Sequence, residues 1–234
     1  MRLAHLADVH LGYRQYHRQT PTGVNQREAD VANAFRRAID GVIVARPEAV
    51  VIAGDLFHAV RPSNQAIVFC FHELQRLRHA LPQAAIVVVA GDHDTPRASE
   101  TGSILRLFTE QGIAVATDRA EDLAFPELDL VVRAVPHQAL VGPDRPSFRA
   151  PRTATHQVLV THGIDPTAFP LDRWWAEPGG AVLDPVELAQ GGWSYVALGN
   201  YHVMRELRPT VWYAGALEYV TPNPWGELIE QRKS

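Results

Sequence analysis

Five apolar runs in this chain each stop at a short polar cluster of acids, histidines or asparagine. The clusters are Asp8-Val9-His10, Gly54-Asp55-Leu56-Phe57-His58, Gly91-Asp92-His93-Asp94, Thr161-His162-Gly163 and Gly199-Asn200-Tyr201-His202. Each run reads as a buried strand, so each cluster falls where a strand ends. Open α/β sheets bind their ligands just beyond the carboxyl ends of their strands. Taken singly, the clusters have ordinary explanations. Gly-Asp after a strand is often a tight turn with a helix cap, and His162 alone reads as a histidine satisfied near the core. Turn chemistry does not readily produce five of them in this order. Five strand ends delivering Asp, His and Asn to one crevice make a site for two metal ions.

At 234 residues the chain is long enough for one sizeable α/β domain, and residues 1–234 read as that domain. No apolar run approaches the roughly 20 residues that span a bilayer, so no membrane attachment is expected. Asp8 and His10 interrupt any apolar stretch at the amino terminus, which argues against a signal peptide. The single cysteine, Cys70, precludes an intramolecular disulfide and suits a reducing cytoplasm, the expected location. The formal net charge of −4 runs against the basic face that proteins holding DNA usually present. Lys233 is the only lysine, so the cations are almost all arginines, which suit bidentate phosphate contacts. Bound divalent cations would offset part of the acidity locally.

The first half alternates strand and helix. Strands are expected at 2–7, Ala49–Ala53 and Ala85–Ala90, and helices from Glu28 to about Val44, from Ser63 as cap to about His79, and over about Gly102–Gln111. The second half is richer in strands, at about 113–116, 128–135, 156–161, 194–198 and 210–214, with one short helix at Pro185–Gln190. Loops are expected at 143–151 and 165–180, the second carrying Trp174 and Trp175. This division suggests two sheets packed face to face with helices outside.

The clusters, with Leu11-Gly12-Tyr13-Arg14-Gln15-Tyr16 after the first, Tyr195-Val196-Ala197-Leu198-Gly199 and Tyr213-Ala214-Gly215-Ala216-Leu217-Glu218, resemble the calcineurin-like metallophosphoesterases. Within them the chain is most similar to the SbcD-type DNA repair nucleases. The resemblance implies a four-layer α/β/β/α sandwich of two mixed sheets. It implies two divalent ions, Mn²⁺ first, with Fe, Zn or Mg²⁺ as rivals. By this likeness Asp55 bridges the ions, Asp8, His10 and His202 complete the first site, and Asp92, His162 and Asn200 serve the second. His93 becomes the acid toward the leaving oxygen, with His58 supporting it. DNA becomes the substrate, an SbcC-type ATPase the partner, and a homodimer forms through helices near 64–79 and 102–111. The carboxyl-terminal capping domain that such proteins carry is expected to be absent, since 220–234 is too short to form it.

Two ligands depart from the pattern of that family. Its third motif reads Gly-Asn-His where this chain has Gly91-Asp92-His93, and its last reads Gly-His-x-His where this chain has Gly199-Asn200-Tyr201-His202. An acid is gained and an imidazole lost at the second ion, which either retunes that site toward harder ions or weakens it. The alternatives to a DNA nuclease are therefore a general small-molecule phosphodiesterase and a catalytically weakened scaffold. Asp94 reads as a loop cap. His5, His17, His72, His79, His137 and His156 read as structural or solvated. The residues Tyr13, Arg14, Gln15 and Tyr16 either stack on bases and grip phosphate or pack their own loop down.

Overall fold

A computed structural model describes residues 1–96, 102–168 and 180–221. Trp174 and Trp175 lie outside the described residues, as does most of the 165–180 loop. The first sheet contains β1 (Leu3–Leu6), β2 (Ala49–Ala53), β3 (Ala85–Val89) and β4 (Ala114–Ala116), paired in that order and parallel throughout. The second contains β5 (Glu121–Phe125), β6 (Leu130–Val135), β7 (His156–His162), β8 (Tyr195–Gly199), β9 (Arg205–Arg208) and β10 (Val211–Tyr213), in the order β5-β6-β7-β8-β10-β9. Its centre is parallel and its two edges are antiparallel. The expected sandwich is present, with one difference of detail: only the second sheet is mixed.

Strand alternation builds the layers. In β2, Ala49, Val51 and Ala53 face the second sheet, where they meet Leu130, Val132, Ala134, Val158, Val160 and Ala197. Val50 and Ile52 face the helices instead. Alanine recurs on the inner face, and its small side chain lets the sheets approach closely. The outer layer on the first sheet is α1 (Gln26–Ala45) and α2 (Asn64–Ala80), together with a 3-10 helix at Ile104–Gln111. Asn25 starts α1 by accepting the N–H groups of Arg27 and Glu28, and Ser63 starts α2 by accepting that of Ala66. Outside the second sheet, α3 (His137–Val141) and α4 (Pro185–Gln190) join Phe148, Leu188 and Trp193 over Leu159, Val196 and Leu198. Cys70 is fully buried in α2, and burial pushes its thiol pKa up, so it is inert.

Two strands fall where none was expected, and they are the two edges of the second sheet. β5 reads Glu-Asp-Leu-Ala-Phe and β9 reads Arg-Glu-Leu-Arg. Edge strands carry charge because an exposed apolar edge invites pairing with other chains. That same charge erased the apolar run by which strands were sought.

Candidate metal centre

All five polar clusters come together at the carboxyl ends of β1, β2, β3, β7 and β8. The first two loops are zipped by backbone: Asp8 N–H donates to the Gly54 carbonyl, His10 N–H to that of Asp55 and Leu11 N–H to that of Leu56. Asp8, His10 and Asp55 all hold positive φ, at 52°, 53° and 53°. Such backbone is uncommon outside glycine and collects at functional sites. It turns three side chains from two adjacent strand ends into one crevice.

Two glycines make room for this convergence. A Cβ on Gly91 would lie 2.1 Å from Oδ1 of Asp55, and one on Gly54, at φ +90°, would lie 2.1 Å from Nδ1 of His162. The Gly-Asp motif is therefore more than a turn here, because the backbone of one loop must touch the functional side chain of another.

Asp55 occupies the middle. Its Oδ2 lies 3.6 Å from Nε2 of His10 and 3.4 Å from Nε2 of His162. Its Oδ1 accepts the His93 N–H at 3.0 Å. Around it, donor atoms gather in overlapping groups: Asp8 with His10 and His202, Asp8 with Asp55 and His162, Asp55 with Asp92 and His93, and His10 with His58 and His93. His10 and His202 bring their Nε2 atoms within 3.3 Å. Asp8, His10, Asp55, His162, Asn200 and His202 are all buried.

The electrostatics suit a cation. One carboxylate oxygen of Asp8 is buried with no partner. Burial raises the Asp8 carboxyl pKa to about 6, though His202 and His162 pull it the other way. Burial also holds the His10 pKa well below its ordinary value, reinforced by the neighbouring His202 and His93. Burial would lower His162 too, but Asp55, Asp92 and Asp8 outweigh it and hold its pKa well above normal. Asp92 is pulled below the usual carboxylate range by its bond to His162, against burial. A proton on His162 thus sits among three carboxylates, where positive charge is wanted. The Nδ1–H of His162 donates to the Ala53 carbonyl at 2.8 Å, which orients Nε2 toward Asp55 and Asp92. A carbonyl behind an imidazole is a common way to fix a metal ligand. These carboxylates and imidazoles fit divalent ions of the kind that take mixed oxygen and nitrogen ligands.

Asn200 enters differently. Its backbone N–H donates to Asp8 Oδ1 at 2.9 Å, and its φ of 97° directs the chain for that contact. Its amide packs beside Gly180 and Ile164, and its Nδ2 is buried without a partner. His93 donates Nδ1–H to the His58 carbonyl at 2.7 Å, and the rings of His58 and His93 stack at 5.1 Å. His58 also places Nδ1 3.3 Å from Nδ1 of His10. Asp94 is a loop cap, as read, and a buried one: it accepts the N–H groups of Leu56, Phe57 and Gly91.

After the first cluster, Tyr13 is buried with its ring edge-on to His58, and Arg14 pairs with Glu28 at 2.7 Å. These two pack their loop down, while Tyr16 stands exposed. His137 stands two residues beyond β6, near enough to Asp92, His162 and Asp55 for their charges to act on it. It too follows an apolar run, with Pro136 between the strand and the histidine.

The comparisons with known proteins agree with this geometry. Residues 1–215 match the family described as calcineurin-like phosphoesterase. The DNA double-strand break repair protein Mre11 of Haloferax volcanii is 34% identical over 227 residues, covering 93% of this chain and 45% of that protein. Its namesake in Methanosarcina mazei is 30% identical over 226 residues, covering 93% of this chain and 33% of that protein. That of Sulfolobus acidocaldarius is 29% identical over 213 residues, covering 88% and 50%. The chain thus spans half or less of the length of these curated relatives. With five strand ends meeting in one crevice and the family's pattern matched along most of its length, the chain belongs to the calcineurin-like phosphoesterases.

Proposed function

We propose that this chain hydrolyses phosphodiester bonds in DNA with two divalent metal ions, as an exonuclease and single-strand endonuclease of the SbcD type. The observation that carries the reading is Asp55, whose one oxygen lies within 3.6 Å of His10 and 3.4 Å of His162. A carboxylate so placed would be a ligand common to two divalent ions. Asp8, His10 and His202 would serve the first ion, Asp92 and His162 the second. Asn200 would join the second, and its amide is the weakest donor of the set. When bound, such ions would supply activation of water near neutral pH and neutralisation of charge on the phosphoryl oxygens.

The chain's own residues do the rest. His93 has its Nδ1–H engaged by the His58 carbonyl, so proton exchange with the leaving oxygen falls to Nε2. His58 holds His93 by stacking and His10 by its Nδ1, keeping both rings in register. Asn200 holds Asp8 through its backbone N–H. Mn²⁺ suits the donor set, with Fe, Zn or Mg²⁺ as rivals. The names of the relatives, which repair DNA double-strand breaks, favour DNA as the substrate. A dimer through α2 and the 3-10 helix, and an SbcC-type ATPase partner, belong to the same reading.

The net charge of −4 favours a second reading, a small-molecule phosphodiesterase. Metal content, then hydrolysis of a chromogenic diester beside a labelled DNA, separates the two. Two ions with DNA cleavage supports the nuclease, and diester cleavage without DNA cleavage supports the second reading. One ion with no turnover would leave a scaffold. Asp55→Ala should remove at least one ion and nearly all hydrolysis; near-normal activity in that variant ends the two-ion reading.

A further inference from the structure

His137 is the one histidine near this crevice to which the mechanism above gives no task. It stands immediately beyond β6 and Pro136, where the chain leaves the second sheet, and its backbone N–H donates to the Ala90 carbonyl at 3.0 Å. That bond pins it beside the loop that carries Asp92. β6 lies next to β7, with Val135 opposite Thr161, so His137 emerges alongside His162. The residue is 8% exposed, and its Nδ1 is buried with no hydrogen-bond partner. Leaving such a nitrogen unpaired is costly, and buried polar groups without partners call for an explanation. Asp92, His162 and Asp55 all lie near enough to act on it electrostatically. A neutral imidazole still carries one N–H donor. Its nitrogens do not fall within the clusters of donor atoms that close around Asp55. It therefore stands one step outside the ligands, on the side of Asp92 and His162, where a group bound to the second ion would extend.

We propose that His137 is a further substrate-binding residue, whose imidazole N–H donates to a non-bridging oxygen of the phosphate held at the second ion. This rests on the two-ion reading above. The contact would orient the phosphate without touching the attacking or departing oxygen.

The test uses the full chain loaded with Mn²⁺, inorganic phosphate as the probe, and the variants His137→Ala and His137→Gln. His137→Ala should keep both ions, by elemental analysis, and bind phosphate about 10- to 100-fold more weakly, the loss expected for one hydrogen bond to a charged partner. KM for a chromogenic diester should rise by a similar factor, with kcat changed less. His137→Gln retains an N–H donor and should recover much of the affinity, which a merely structural histidine would not predict. Unchanged phosphate affinity in His137→Ala overturns the proposal. Loss of an ion in that variant overturns it too, since His137 would then be a ligand. A parent protein that takes up no Mn²⁺ overturns both this inference and the two-ion reading, and is told apart because the parent itself fails.

Discussion

Asp94 accepts the backbone N–H of Phe57 at 3.0 Å through one carboxylate oxygen, while the other accepts those of Leu56 and Gly91. A buried side chain of the third loop thereby fixes the second loop, and with it the position of Asp55 relative to Asp92. Asp94→Ala leaves three buried N–H groups unmatched. It should destabilise the fold by on the order of 3 kcal/mol and weaken metal uptake, although Asp94 is not proposed to touch an ion. Urea denaturation and metal titration check this. A variant as stable as the parent, with full metal content, would show that the loops hold their places without it.

Gly91→Ala tests the close approach of loop to carboxylate. The added methyl would lie 2.1 Å from Asp55 Oδ1, so either Asp55 or the loop must move. We expect a folded protein, less stable by about 1–3 kcal/mol, that has lost most of its capacity for metal. Circular dichroism with elemental analysis reads both. Two tightly held ions in this variant would show that the site tolerates displacement of its central carboxylate.

The protonation states predict a pH-dependent response to metal. Asp8 is raised by burial to about 6 in the fold, so the folded chain holds a proton there that the unfolded chain releases at lower pH. Stability from this group therefore falls as pH rises from about 4 to about 6. His162 is raised above its ordinary value, chiefly because Asp55, Asp92 and Asp8 overcome burial. Its contribution is full below the unfolded value and is lost as pH rises through the folded one. Both groups make the metal-free protein less stable at higher pH. A bound cation replaces those protons, so metal affinity should rise with pH. The gap in Tm between Mn²⁺-loaded and chelator-treated protein should widen from pH 5 to pH 8. A gap that is constant or narrows over that range would contradict these assignments.

His93→Ala separates acid from ligand. The variant should keep both ions and lose about 10²–10⁴ in rate. Should it lose an ion instead, His93 is a ligand and the roles need reassigning.

Assembly is checked by light scattering. On α2, Ala66, Cys70, Leu74 and Leu77 are buried, while Ile67, Phe69 and Phe71 are only partly covered and Val68 is 54% exposed. An apolar face of this kind marks an interface. We expect twice the 25.9 kDa chain mass at micromolar concentration, and Val68→Glu should shift the protein toward the single chain. A parent that stays single excludes the dimer.

Much of this protein was legible in its sequence because strand interiors and strand ends are local. An apolar run of Ala, Val and Ile closed by Gly54-Asp55 states both that a strand is buried and that its end is polar. The capping residues Asn25 and Ser63 are local too, since each serves N–H groups two or three residues away. The strands β5 and β9 were not legible, because solvent lies along the sheet edge and favours charge where the pattern sought apolar side chains. The partnerships within the centre were likewise beyond reach. Asp55 meets His162 and Asn200 holds Asp8 only after two sheets have packed face to face. The amino-acid sequence determined by itself which side chains stand at the strand ends. Only the tertiary structure decided which of them share a carboxylate and that His137 lies near them, because proximity, burial and field are properties of the packed chain.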